Sequence, residues 1–138
     1  MTRPDATHIL MTGPMMAYAA DQLKARFTVH EYWKADDKPA FLRGIADQVR
    51  GIAGGGHVRI DGALFDALPK LEMIANFGVG YDNVDAAEAG RRGLVVSNTP
   101  DVLTDEVADL AIGLLIATVR QLPQVDRYLR EGKWLKAP

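Results

Sequence analysis

Two glycine-bearing stretches carry most of the chemical interest in this chain. Gly54-Gly55-Gly56-His57 and Gly78-Val79-Gly80-Tyr81-Asp82 each follow a short apolar run. Glycine in such a place lets the backbone approach a bound group closely and aim its N–H groups at it. Free amides of that kind suit a carboxylate or a phosphate. Gly13-Pro14 and Asn98-Thr99-Pro100 close two further apolar runs, so four loops are candidates. None is a nucleotide loop by pattern. Gly78-Val79-Gly80 lacks the third glycine of a dinucleotide fingerprint, because that position is Asn83, and no GKS or GKT occurs. Tight strand-to-helix turns would use the same glycines with no ligand at all, and the pattern leaves both readings open.

The ionisable residues point to no self-contained catalytic set. His8 and His30 fall at the start or inside of apolar runs and read as structural or surface residues, while His57 stands beside three glycines and could face a ligand. Asp82 and Asp85 read as turn and helix-cap residues. There is no HxxxH or HExxH spacing and no cysteine, so no metal site is expected. A Ser–His–Asp triad has no nucleophile elbow to start from. Tyr128, Leu129 and Trp134 read as cover for apolar surface. No catalytic residue is assigned.

The elements that must position these loops alternate along the chain. Strands are predicted at His8–Gly13, Thr28–Trp33, Gly51–Ala53, Met73–Phe77 and Leu94–Asn98. Helices are predicted at Met15–Arg26, Pro39–Val49, Asp61–Leu68 and Asp85–Arg92. Pro69 stops the third of these helices, and Gly93 caps the fourth at its far end. Helical crossovers return the chain to the same edge each time, so the strands pair in parallel. This gives an α/β fold, a doubly wound five-stranded sheet of flavodoxin-like order, with ligands beyond the carboxyl ends of its strands. A phospho-receiver domain shares that fold but needs an acidic pair after the first strand and an acceptor Asp after the third. Here those places hold Thr12-Gly13 and Ala53-Gly54.

The last segment differs in kind. Thr104 can cap a helix whose first turn carries Asp105 and Glu106, where the helix dipole favours negative charge. From Val107 to Val119 the only polar side chains are Asp109 and Thr118, so burial on every face is expected, in a core or between domains. Pro123 interrupts the run, and a more polar helix resumes over Gln124–Arg130. Left uncovered, the apolar helix predicts self-association of the chain, which sedimentation velocity checks; a monodisperse monomer would count against it.

At 138 residues the chain is one domain in size, and 16 Lys+Arg against 18 Asp+Glu leave a net charge of -2. That balance offers no footprint for nucleic acid or an anionic membrane surface. No stretch reaches the roughly 20 apolar residues of a membrane span. The opening MTRPDATHILMTG lacks a signal peptide's basic and apolar regions, so a cytoplasmic location is the expectation.

The stretch NFGVGYDNVD from Asn76 to Asp85, and NTPDVLTDEVAD from Asn98 to Asp109, resemble the D-isomer-specific 2-hydroxyacid dehydrogenases. With Arg120-Gln121-Leu122-Pro123 and Gly132-Lys133-Trp134, the second stretch looks most like the glyoxylate/hydroxypyruvate reductase branch. The likeness covers essentially the whole chain. It implies a flavodoxin-like substrate-binding domain at residues 1–103. Residues 104–138 would be a long interdomain helix and the start of a connection to a Rossmann cofactor domain that this chain does not contain. The whole enzyme would be a homodimer moving hydride between NAD or NADP and a small 2-keto acid such as glyoxylate or hydroxypyruvate; the branch favours NADP.

By the same resemblance, the backbone N–H groups of Val79 and Gly80 hold the substrate carboxylate, and the Gly55 loop lines the cleft. Val79 also lies near the nicotinamide, and Thr104 contacts the cofactor. The catalytic Arg, Glu and His of the family fall beyond Pro138, so no histidine here takes that role, and the 138-residue chain alone is expected to be inactive. Some reductases of this branch carry a second tryptophan shortly after the first, where this chain has Leu135-Lys136-Ala137 after Trp134. The alternative is a non-catalytic module of the same fold that binds a carboxylate or a protein.

Overall fold

The computed structural model describes residues 7–55 and 58–136. His57 therefore lies outside the described residues. The chain forms two compact units, residues 1–100 and 101–138.

In the first unit, β1 (His8–Met11), β2 (Thr28–Glu31), β3 (Val49–Gly54), β4 (Met73–Asn76) and β5 (Val95–Ser97) form one parallel sheet in the order β2-β1-β3-β4-β5. This is the flavodoxin-like order that the alternation predicts. The helices are α1 (Ala17–Arg26), α2 (Lys38–Ile45), α3 (Gly62–Ala67) and α4 (Ala86–Arg91). Side chains alternate across the sheet, which divides the core in two. On one face Leu10, Ile52 and Ile74 pack with Ile45 of α2, Leu64 and Phe65 of α3, and Ala89 of α4. On the other, Ile9, Met11 and Ala53 pack with Ala20 and Leu23 of α1. That second face is covered unevenly: Met73 and Val95, on β4 and β5, are 42% and 58% exposed.

Local chemistry explains the boundaries. Asp37 accepts from the amide of Ala40, and Pro39 supplies a preset φ in the first turn, so α2 begins at Lys38. Asp61 caps α3 and Asp85 caps α4 in the same way. Gly93, at φ +74°, ends α4 in the left-handed region that glycine tolerates. Two predicted boundaries are corrected. Val49 is not the end of the second helix; it is fully buried and opens β3 opposite His8. The second strand stops at Glu31, and Tyr32–Lys34 turn as a 3-10 helix.

His8 and His30 meet on neighbouring strands, Nδ1 to Nε2 at 3.0 Å, with the Phe41 ring edge-on to His30. The bond requires at least one neutral ring. Partial burial, and then the nearby His8, hold the His30 pKa below its ordinary value. The folded state thus favours neutral His30, and the unfolded chain takes up the proton first. Stability is full above an ordinary histidine pKa of about 6.5 and declines as pH falls through it. Thermal melts from about pH 7.5 down to about pH 5.5 should show the midpoint falling, and His30→Asn should flatten that dependence. A midpoint independent of pH in the native chain would contradict the reading.

In the second unit, α5 (Thr104–Val119) and α6 (Leu122–Arg130) are separated by Arg120 and Gln121, the latter at φ 53°. Thr104 is the first residue of α5 and not its cap; Leu103 holds the cap position and no side chain closes it. Pro123 does not break a helix here. It sits in the first turn of α6, where its missing N–H costs no hydrogen bond. The expectation that α5 is buried on every face does not hold within this chain, since none of its residues is buried and Leu110, Leu115 and Val119 are 62%, 63% and 69% exposed.

Candidate functional site

The predicted loops do emerge from the carboxyl ends of neighbouring strands. Gly54 on β3 lies opposite Asn76 on β4, and Ala75 on β4 lies opposite Ser97 on β5. The Gly55, Gly78–Asp82 and Asn98–Thr99 segments therefore start from one edge of the sheet.

Gly55 is held by Thr12, a fully buried residue at the end of β1. The Thr12 hydroxyl accepts from the Gly55 amide at 3.0 Å and donates to the Gly55 carbonyl at 3.1 Å. This closed pair lies between β1 and β3, where the strand order reverses. It also occupies the Gly55 N–H, so Gly55 shapes the floor of the loop and offers no free donor. A side chain at Gly55 would meet the Gly13 carbonyl and Met15 at 3.4 Å.

The loop after β4 is fastened through its carbonyls. The Thr99 amide donates to Gly78 O at 3.0 Å, the Asn98 side-chain amide to Val79 O at 2.8 Å, and the Asn76 side-chain amide to Gly80 O at 3.0 Å. In a trans peptide the carbonyl and the following N–H point in opposite directions, and no cis bond occurs among the described residues. The N–H groups of Val79, Gly80 and Tyr81 are consequently turned away from the groups that hold the carbonyls. Among the described residues, the amides of Val79, Gly80 and Tyr81, like those of Asp82 and Asn83 after them, have no acceptor. Val79, Gly80 and Tyr81 are exposed. Further along, Val84 donates to Tyr81 O, and the segment is stitched to Ile60 by two backbone bonds, Ile60 N to Asn83 O and Asp85 N to Ile60 O.

Asn76 is 6% exposed and packs against Gly54, where an added Cβ would come within 2.9 Å of its Oδ1 and 3.2 Å of its Cα. Gly54 is therefore required by the neighbouring strand end. Asn98 belongs to one of the four candidate loops, while Thr12 and Asn76 are residues that motif reading does not single out. All three continue the inward register of their strands, after Leu10, Ile74 and Val96, placing a polar residue where an apolar alternation would otherwise run on.

Electrostatically, the best-developed cluster lies away from this edge. Arg92 bridges Glu88 and Asp66, and Arg92, then Arg91, hold the Glu88 carboxyl below the usual carboxylate range. Among the described residues, no three His, Asp or Glu side chains gather as a metal site. No described helix is long and apolar enough to cross a membrane. Thr104, the remaining candidate, belongs to the second unit, at the first position of α5.

Residues 9–130 match the profile of the D-isomer specific 2-hydroxyacid dehydrogenase catalytic domain. The chain belongs to this family. Hydroxyphenylpyruvate reductase from Plectranthus scutellarioides is 43% identical over 130 residues, covering 94% of this chain and 42% of that protein. Glyoxylate/hydroxypyruvate reductase A from Arabidopsis thaliana is 40% identical over 126 residues, covering 91% of this chain and 40% of that one. Among solved structures, a 2-hydroxyacid dehydrogenase from Ketogulonicigenium vulgare superposes with a TM-score of 0.84 at 42% identity, over 96% of this chain and 42% of that one. The NADPH-dependent glyoxylate/hydroxypyruvate reductase of Sinorhizobium meliloti, solved with NADP and malonate, gives 0.76 at 44% identity, over 96% and 40%. The chain thus spans about two-fifths of the length of the relatives it matches.

Proposed function

We propose that the chain is the substrate-binding half of an NAD(P)-dependent reductase, and that the Val79 and Gly80 amides bind the carboxylate of a 2-keto acid such as glyoxylate or hydroxypyruvate. The observation that carries the reading is that, among the described residues, the Val79 and Gly80 amides have no acceptor while the Gly78, Val79 and Gly80 carbonyls are fastened on the opposite side. Two preset N–H donors recognise a carboxylate without the cost of reorganising the loop. Gly55, locked by Thr12, forms a neighbouring wall.

The nicotinamide, when bound, supplies hydride to the 2-keto carbon while a proton reaches the keto oxygen, giving the 2-hydroxy acid. Val79, an apolar side chain 39% exposed beside the carboxylate donors, fits the edge of such a ring. Thr104, exposed at the start of α5, offers a hydroxyl to the cofactor. NADP is the favoured cofactor, supported by the NADPH-dependent relative from Sinorhizobium meliloti. The division at residues 1–103 and 104–138 makes α5 an interdomain helix, and its apolar, unburied side chains support that role.

On this reading the chain holds the carboxylate, and the acid, base and keto-polarising cation come from the Rossmann half. A preparation shown by mass to be 138 residues should therefore not oxidise NADPH in the presence of hydroxypyruvate. A longer protein joining this chain to a Rossmann half should do so, and should prefer NADPH to NADH. Hydroxypyruvate-dependent turnover by the 138-residue chain would overturn the assignment.

A further inference from the structure

We propose that Asn98 and Asn76 are positioning residues for carboxylate recognition, holding the Val79 and Gly80 carbonyls against the strand ends so that the amides on the other side stay available. The proposal rests on the carboxylate reading above. Three consecutive carbonyls, those of Gly78, Val79 and Gly80, take hydrogen bonds from three different donors on the ends of β4 and β5. A loop with glycine at two of three positions has little intrinsic preference for one orientation of its peptide planes. Each tether removes one of those alternatives. A side-chain amide suits the place because its NH₂ donates to a carbonyl oxygen, which a carboxylate cannot do.

The two asparagines are themselves fixed. Asn76 ends β4, is buried, and abuts Gly54 so closely that no Cβ fits between them. Asn98 follows β5 directly, and the Thr99 amide next to it makes the third tether. The substrate donors are thus set by residues 22 positions apart in sequence that touch the carbonyl side of the loop. Asn98 is the better one to test, being less buried than Asn76.

The test uses the ¹⁵N-labelled chain, glyoxylate as probe, and the variants Asn98→Ala and Asn98→Asp. In the native chain, glyoxylate should shift the Val79 and Gly80 amide signals. Asn98→Ala should raise the dissociation constant read from those signals by about three- to tenfold, the worth of one hydrogen bond, with signals outside the loop unchanged. In Asn98→Asp without ligand, the Gly80 amide frequency should titrate with the new carboxyl. The midpoint should lie above the ordinary Asp value of about 3.9, because only the protonated acid can donate to Val79 O. A side chain that merely filled space would leave that midpoint at the ordinary Asp value. Native affinity in Asn98→Ala, or a Gly80 signal indifferent to Asp ionisation at position 98, would overturn the positioning role. Failure of glyoxylate to move the native signals would instead overturn the carboxylate reading, and the ligand-free Asn98→Asp titration would still report whether the tether orients the loop.

Discussion

Gly80→Pro should abolish the response of the chain to glyoxylate, whereas Gly80→Ala should leave it intact. The two substitutions differ in the amide hydrogen at position 80, and proline also fixes φ there and restricts Val79 before it. Proline has no N–H, so the Gly80 donor disappears. Alanine keeps the donor, its Cβ would approach nothing nearer than the Asp82 carboxylate at 3.6 Å, and Gly80 does not occupy a positive φ. A donor to an ionised acceptor is worth about 1.5–3 kcal/mol, so its loss weakens a bidentate carboxylate contact by roughly ten- to a hundredfold. On the proposal that the chain supplies only part of a binding cleft, that removes detectable binding. Titration calorimetry or amide shifts on both variants would check the pair. Equal responses from the proline and alanine variants would place the carboxylate elsewhere.

Thr12→Val should give the largest loss of stability among conservative changes. Valine matches threonine in shape, so packing in this fully buried position is retained and only the hydroxyl is lost. The Gly55 amide and carbonyl then both lose their partner in the interior. At about 1–3 kcal/mol for each stranded group, less than additive for two on one residue, the cost is about 2–4 kcal/mol. That is a large share of the 5–15 kcal/mol typical of a folded domain. Thr12→Ser, which keeps the hydroxyl, should cost much less. Urea denaturation of the three proteins measures the difference, and a Thr12→Val midpoint equal to the native one would refute the role given to the hydroxyl.

Sheet class and strand order were legible because they depend on local signals: short apolar runs, helix formers between them, and turn residues at Gly13-Pro14, Pro69 and Gly93. Val49 falls at helical spacing after Phe41, Leu42 and Ile45, yet the same position is the first buried residue of β3. Spacing alone cannot separate those outcomes, since a strand that follows a short turn can begin in phase with the preceding helix. Proline disrupts helix interiors, so Pro123 predicts a break, while the actual break is at the left-handed Gln121 two residues earlier. The glycines of the candidate site were visible for their conformational freedom. What fastens them was not. Thr12 reaches Gly55 across 43 residues and Asn98 reaches Val79 across 19, contacts that exist only once β1, β3, β4 and β5 lie side by side. An isolated polar residue at the inward register of an apolar strand was the available clue, and it says that a partner is needed without naming it.

The central claim, that the loop after β4 recognises a carboxylate through backbone amides, is tested most directly by titrating the ¹⁵N-labelled chain with glyoxylate and, in parallel, with glycolaldehyde. The second compound keeps the two-carbon skeleton and a carbonyl but has no carboxylate. The account predicts that glyoxylate shifts the Val79 and Gly80 amide signals and glycolaldehyde does not. Equal shifts from both compounds, or none from glyoxylate, would contradict it.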